Sequence, residues 1–157
     1  MPRHSYKKKT AKADPITDSY EVSKLINYVM NDGKKSVAQS IVYDLFEEMK
    51  KNDLDPMQTL MRAISNVAPN QEVKPRRLGG ASYLVPTDVR QDRKLYLALH
   101  WMIDAAKTKS NKEFHSFSAK LMAEIVDASK NQGQAVVKRQ QAEKLAESNK
   151  AFSHLKW

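Results

Sequence analysis

Arg76-Arg77-Leu78-Gly79-Gly80-Ala81-Ser82-Tyr83-Leu84-Val85-Pro86 decides the reading of this chain. Two short extended runs meet at a glycine pair, carry two arginines, and sit between segments of helical period. A lone pair of strands is marginal in water, so a basic hairpin in a helical protein reads as an arm that becomes ordered against a polyanion. RNA or DNA is the first partner to test. Pro75 and Pro86 cannot donate to a strand ladder, so both strands must be sheet edges, as the strands of an isolated ribbon are. The ribbon is expected over roughly residues 71–88.

On either side the apolar residues recur at helical spacing. Asp18 stands three residues before Glu21, a capping-box spacing, ahead of Val22, Leu25, Ile26, Val29 and Met30. This first helix should stop near Gly33. Ser36 with Gln39 should open a second helix, with Val37, Ala38, Ile41, Val42, Leu45 and Met49 inward. Asp55-Pro56, a cap followed by proline in the first turn, should open a third. Its inward residues are Met57, Leu60, Met61, Ile64 and Val67, and Pro69 ends it. Beyond Asp92 a fourth helix carries Leu95, Ala98, Leu99, Met102, Ile103 and Ala106. A fifth is expected from about Lys112 to Ser129, with Phe114, Phe117, Leu121, Met122, Ile125 and Val126 on its apolar face.

Gly133 separates it from a sixth, where Val136, Val137, Leu145 and Phe152 are thinly spread among polar residues. So narrow an apolar face places that helix on the surface or against RNA. The expectation is a mainly α protein: one domain over residues 1–157, about six helices, and a protruding two-stranded hairpin between the third and fourth. A basic arm over residues 1–12 precedes the helices, and a C-terminal helix and tail occupy 134–157.

The charge balance agrees with the ribbon. Across 157 residues there are 27 Lys and Arg against 18 Asp and Glu, a net charge of +9, which attracts nucleic acid or an anionic membrane and says nothing of the fold. Arg3, Lys7, Lys8, Lys9 and Lys12 supply five of those charges with no acid among them. Such a block repels itself and is expected to stay disordered until it meets anions. No cysteine is present, which removes disulfides and thiolate metal sites and suits a reducing, cytoplasmic setting. The most apolar run, Leu97 to Ile103, falls short of the roughly 20 residues a membrane-spanning helix needs. The basic start leads into no apolar signal-peptide core.

Candidate sites narrow accordingly. Asp32-Gly33-Lys34-Lys35-Ser36 resembles part of a phosphate loop, but the full motif needs another glycine where Tyr28 stands, and a strand before it. A helix connector or an RNA-phosphate contact at Lys34 and Lys35 is the better reading. His4, His100, His115 and His154 lack the spacing of a helical zinc site, and His100 beside Trp101 reads as a satisfied boundary histidine. No metal, cofactor or catalytic constellation is indicated. Met57, Met61, Met102 and Met122 sit at core-type positions. Residues 72–94 hold Lys74, Arg76, Arg77, Arg90, Arg93 and Lys94 against Glu72, Asp88 and Asp92. That excess favours phosphate contact, which the planar fork of arginine suits.

Three motifs carry a resemblance: Leu25-Ile26 through Gly33-Lys34-Lys35 to Ile41-Val42-Tyr43; Arg76-Arg77 through Gly79-Gly80-Ala81, Tyr83, Val85-Pro86 and Val89-Arg90 to Leu97-Ala98 and Trp101; and Lys138-Arg139 through Ala146-Glu147, Asn149-Lys150-Ala151-Phe152 to Trp157. In these the chain resembles the family of the seventh small-subunit ribosomal protein in its bacterial form. It departs at Leu45, Leu84 and His100, where the family favours a small residue, glutamine and arginine.

The resemblance implies a non-catalytic structural protein that binds the 3′ major domain of 16S rRNA, nucleates assembly of the subunit head, and lies at the subunit interface near the exit-site tRNA. It also implies contact with small-subunit proteins nine and eleven. The rRNA-binding candidates are Arg3, Lys7, Lys8, Lys9, Lys12, Lys34, Lys35, Arg76, Arg90, Arg93, Lys94, Lys138 and Arg139. The tRNA-facing candidates are Arg77, Gly79, Gly80, Tyr83, Phe152 and Trp157. The competing readings fare worse. A helical DNA-binding regulator should carry its basic residues on a recognition helix, and an RNA-processing enzyme should show clustered carboxylates or a nucleophile with its base.

Overall fold

The computed structural model describes residues 12–155. The expectations for Arg3, Lys7, Lys8, Lys9 and Trp157 lie outside the described residues. The elements run α1 (Tyr20–Val29), α2 (Lys35–Lys51), α3 (Pro56–Val67), β1 (Gln71–Leu78), β2 (Ala81–Asp88), α4 (Gln91–Thr108), α5 (Phe117–Ser129) and α6 (Gln134–Ser148), followed by a 3-10 turn at Lys150–Leu155. The mainly helical class and the hairpin between third and fourth helices are as expected.

Local chemistry explains most helix starts and corrects several of them. The cap of α1 is Ser19, whose hydroxyl accepts from the Val22 N–H; Asp18 instead adopts a positive φ of 46°, so the expected capping box is replaced by a simple cap one residue later. Helix α2 begins at Lys35 behind Lys34 with no side-chain cap, which puts Ser36 inside the helix. Asp55 does cap α3, accepting from the N–H groups of Met57 and Gln58 at 3.0 and 3.3 Å. Helix α5 starts at Phe117, later than expected, because the Ser116 hydroxyl takes the Ala119 N–H and fixes the first turn there.

Helix α5 packs against α2, α3, α4 and α6, and its Leu121, Ile125 and Ala128 are fully buried beside Leu45, Met49, Leu60, Leu99 and Met102. Each large apolar side chain so enclosed contributes roughly 1.5–3 kcal/mol relative to exposure. Phe46 and Ala63 join this core although the helical spacing did not single them out. Two residues assigned inward point elsewhere: Val37 and Met61 are 55 and 46% exposed; Val137 and Leu145 of the thinly apolar α6 are 42 and 44% exposed, as a surface helix should have them. Leu45, one of the departures, lies wholly enclosed in this core.

The two strands pair antiparallel from Gln71 with Asp88 to Leu78 with Ala81. Gly79 and Gly80 both hold positive φ, 55° and 89°, the combination a two-residue hairpin turn of type I′ demands. A Cβ at either glycine would meet nothing within 4 Å, so conformation, not crowding, calls for glycine here.

Candidate nucleic-acid interface

The ribbon is rooted in the helical body by a small polar network. The Asn70 N–H donates to Glu143 Oε1 of α6 at 3.1 Å, and Lys94 Nζ of α4 donates to Asn70 Oδ1 at 2.8 Å. Glu72, near the start of β1, lies 3.3 Å from both Lys74 Nζ and Arg93 Nε. The Val89 N–H closes the base by donating to the Asn70 carbonyl at 3.0 Å. Arg93 also lies over the Tyr96 ring, 5.0 Å from its centroid. Thus Arg93 and Lys94 help seat the ribbon as well as adding positive charge. Asn70 and Glu72, which organise them, carried no signal in the sequence.

Two clefts open beside this root. One, of about 470 Å³, is lined by Lys74, Arg90 and Arg93 with Glu72 and Asp88. The other, of about 620 Å³, lies among α1, α3, α4 and α6 and brings Lys94 and Arg139 together with Glu21, Asp92, Asn70 and Gln91. Arg139 Nε is buried without a hydrogen bond, 3.8 Å from Glu143 Oε2. Lys138 is turned instead to Asp104, at 3.7 Å on an open surface, where such a pair contributes little.

The remaining cations fall elsewhere. Lys12 and Lys35 line a third cleft with Asn27 and Gln39. Lys34 and Lys35 are both exposed, and no strand leads into that connection, which agrees with setting the phosphate loop aside. Behind Lys12 the chain is anchored by Asp14, 3% exposed. Its carboxylate accepts from Tyr43 OH at 2.8 Å and from the Thr17 N–H and hydroxyl, each at 3.0 Å. Burial opposes the charge of Asp14, but these donors outweigh it and hold its pKa below the usual value.

At the tip Arg77, Gly79 and Gly80 are exposed. Tyr83 and Phe152 are half-buried and face each other, ring centroids 5.3 Å apart and planes inclined by 49°. Phe152 stands on the 3-10 turn, not on α6 as its place in the apolar spacing suggests. His100 is a boundary residue: its Nδ1 lies 3.0 Å from the Tyr96 carbonyl, an acceptor, and its ring stacks on Tyr96 and leans on Tyr28.

Helix α6, which seats the ribbon, is itself held by charge. Its cap position is Gly133, φ 93°, with no side chain to offer. Glu124 of α5, 1% exposed, replaces it by accepting from the Ala135 N–H at 3.0 Å. Its other oxygen lies 3.2 Å from Lys109 Nζ, which also reaches Asp127 at 3.1 Å. Burial opposes the charge on Lys109, yet Asp127 and Glu124 together raise its pKa above the usual value. Among the described residues no group of acids and histidines could hold a metal ion, and no helix is long and apolar enough to cross a membrane.

The fold defines a class: a helical body with a protruding two-stranded arm, whose root gathers Lys74, Arg90, Arg93, Lys94 and Arg139 among Glu21, Glu72, Asp88 and Asp92. The sequence model of the family described as Ribosomal protein S7p/S5e matches residues 1–150. The chain is also similar to small ribosomal subunit protein uS7 of Moorella thermoacetica, 46% identical with all of both chains covered. The proteins of that name from Thermoanaerobacter sp. and Caldicellulosiruptor bescii are each 45% identical over the same full extent. The chain therefore belongs to the S7p/S5e family of ribosomal proteins. It is a structural component of the small ribosomal subunit, in the cytoplasmic ribosome, and not an enzyme.

Proposed function

We propose that the chain binds the 3′ major domain of 16S rRNA as a nucleating protein of the subunit head. Its ribbon tip faces the exit-site tRNA, and proteins nine and eleven of the small subunit are its neighbours. The observation that carries the rRNA reading is the convergence of β1, α4 and α6 at the ribbon root, where Lys74, Arg90, Arg93, Lys94 and Arg139 line adjoining clefts. Distributed cations on rigid elements position a phosphate backbone without reading bases. Arg76, Lys138, Lys34, Lys35, Lys12 and the arm carrying Arg3, Lys7, Lys8 and Lys9 extend that footprint. Beyond the root, the exposed glycine turn lets backbone approach a ligand closely, while Arg77, Tyr83, Phe152 and Trp157 supply charge and aromatic faces towards tRNA.

Filter binding to a 3′ major-domain RNA fragment tests the first part. If six to ten phosphates are neutralised, affinity falls by about 10³ to 10⁵ between roughly 50 and 200 mM salt. A flat salt dependence would sink the electrostatic account. The second part is tested by deleting Arg77 to Ser82 and closing the ribbon, which should leave subunit assembly largely intact and speed exit-site tRNA dissociation on purified ribosomes. A deletion that blocks head assembly while leaving dissociation unchanged would reverse that division of labour.

A further inference from the structure

The C-terminal 3-10 turn packs on β2, where Phe152 meets Tyr83. Tyr83 is paired across the ribbon with Arg76. Outward from the Lys74–Val85 pair, every ribbon residue is exposed except these two. Val85 and Pro86, on the inner side, are buried against the body. The ribbon is thus supported at its base by α4 and α6 and again, farther out, at one aromatic contact.

We infer that Phe152 is a positioning residue: through Tyr83, the C-terminal turn fixes the angle at which the ribbon leaves the body. The geometry gives the reason. From the Lys74–Val85 pair to the turn at Gly79 the strand runs five residues, roughly 17 Å at strand rise, whereas from the Arg76–Tyr83 pair it runs three, roughly 10 Å. The aromatic brace shortens the unsupported length, and the sweep of a tip held at one end rises with that length. Offset, inclined rings favour this arrangement over separated ones, and Tyr83 offers a flat partner that a residue of the exposed tip would not.

The test exploits the absence of cysteine. Spin labels at Ser82→Cys and Lys51→Cys report the distance from tip to body in the full chain, free of RNA. Phe152→Ala should broaden the distance distribution by roughly 1.7-fold, the ratio of the two free lengths, while Phe152→Tyr, which keeps the ring, should restore the parent width. Tyr83→Ala should broaden it equally, and combining it with Phe152→Ala should add nothing. Circular dichroism melts of all variants show whether the body stays folded; Phe152 and Tyr83 lie outside the core, so every variant should keep one cooperative helical transition. A parental width for Phe152→Ala overturns the inference, as does full additivity of the two alanine changes.

A second arm rests on the proposed placement of the tip near exit-site tRNA. On ribosomes, Phe152→Ala should release that tRNA roughly 2- to 10-fold faster, the worth of one aromatic pair. A widened distance distribution with unchanged release supports the brace and refutes the tRNA placement instead.

Discussion

Glu124 holds two elements at once, and removing it gives a prediction with a magnitude. Glu124→Ala takes away the acceptor for the Ala135 N–H, the equivalent of losing a helix cap, about 1 kcal/mol. It also removes one of the two carboxylates facing Lys109. Breaking a buried ion pair outright costs about 3–5 kcal/mol, but Lys109 keeps Asp127 at 3.1 Å, a partner that reaches solvent. A further loss of about 1–2 kcal/mol is therefore expected, and about 2–3 kcal/mol for the substitution as a whole. For a chain of this size the melting temperature should drop by roughly 4–12 °C. Glu124→Gln retains an oxygen for Ala135 and should lose only the charge contribution, about half as much.

The pH dependence separates the two contributions. Lys109 has a raised pKa in the folded chain, so its share of stability is fully present below its ordinary value of 10.5 and is lost as pH climbs through the raised one. Glu124→Gln should flatten that alkaline loss. Urea titrations followed by circular dichroism measure both effects. A cost for Glu124→Ala below about 0.5 kcal/mol, or a Gln variant as unstable as the Ala one, would refute the role of Glu124 as the surrogate cap of α6.

Gly133→Ala should also destabilise, by about 1–3 kcal/mol in the same melts, because its Cβ would stand 2.9 Å from Glu124 Oε1 at a φ of 93°. Leu121→Asp should cost about 4 kcal/mol or more, since that side chain has no exposed surface, whereas Val137→Asp at 42% exposure should stay within about 0.5 kcal/mol; half-buried Ile41→Asp should fall between them by thermal unfolding. Tyr43→Phe removes a donor to Asp14. Because the Asp14 pKa is lowered, its stabilisation is present above the ordinary value of 3.8 and lost as pH falls through the lowered one. The variant should lose about 1–2 kcal/mol at neutral pH and show a shallower acid limb in urea melts from about pH 2 to pH 7.

The strongly periodic and punctuated parts of the chain were legible in its sequence. The ribbon fell on residues 71–88 because Pro75, Pro86 and the glycine pair leave little choice of register or turn. Asp55-Pro56 marked α3 for the same local reasons. Errors arose where neighbouring residues compete for one local role: Asp18 and Ser19 can each cap a helix, and a positive φ at Asp18 settles it for Ser19. Val37 and Met61 follow the helical period but lie at the edge of an apolar face, and only the neighbouring helices decide which edge residues are covered. The seat of the ribbon was illegible, because Asn70 meets Glu143 and Lys94 across long stretches of chain. The same holds for Asp14 with Tyr43 and for Glu124 with the start of α6, where ordinary polar residues acquire their roles only from tertiary approach.

The bond from the Asn70 N–H to Glu143 has a consequence in time. During synthesis the ribbon emerges near the middle of the chain, and its two-residue turn lets the strands find each other as soon as both are out, with microseconds sufficing for a hairpin. The α6 half of its mount arrives last, because Glu143 lies on α6, whose first turn is held by Glu124 of α5. A chain halted before Gln134 would carry a ribbon seated by α4 alone, through Lys94 and Arg93, and would lack Arg139 altogether. The cation array at the root is therefore complete only once α6 has brought Arg139 beside Lys94.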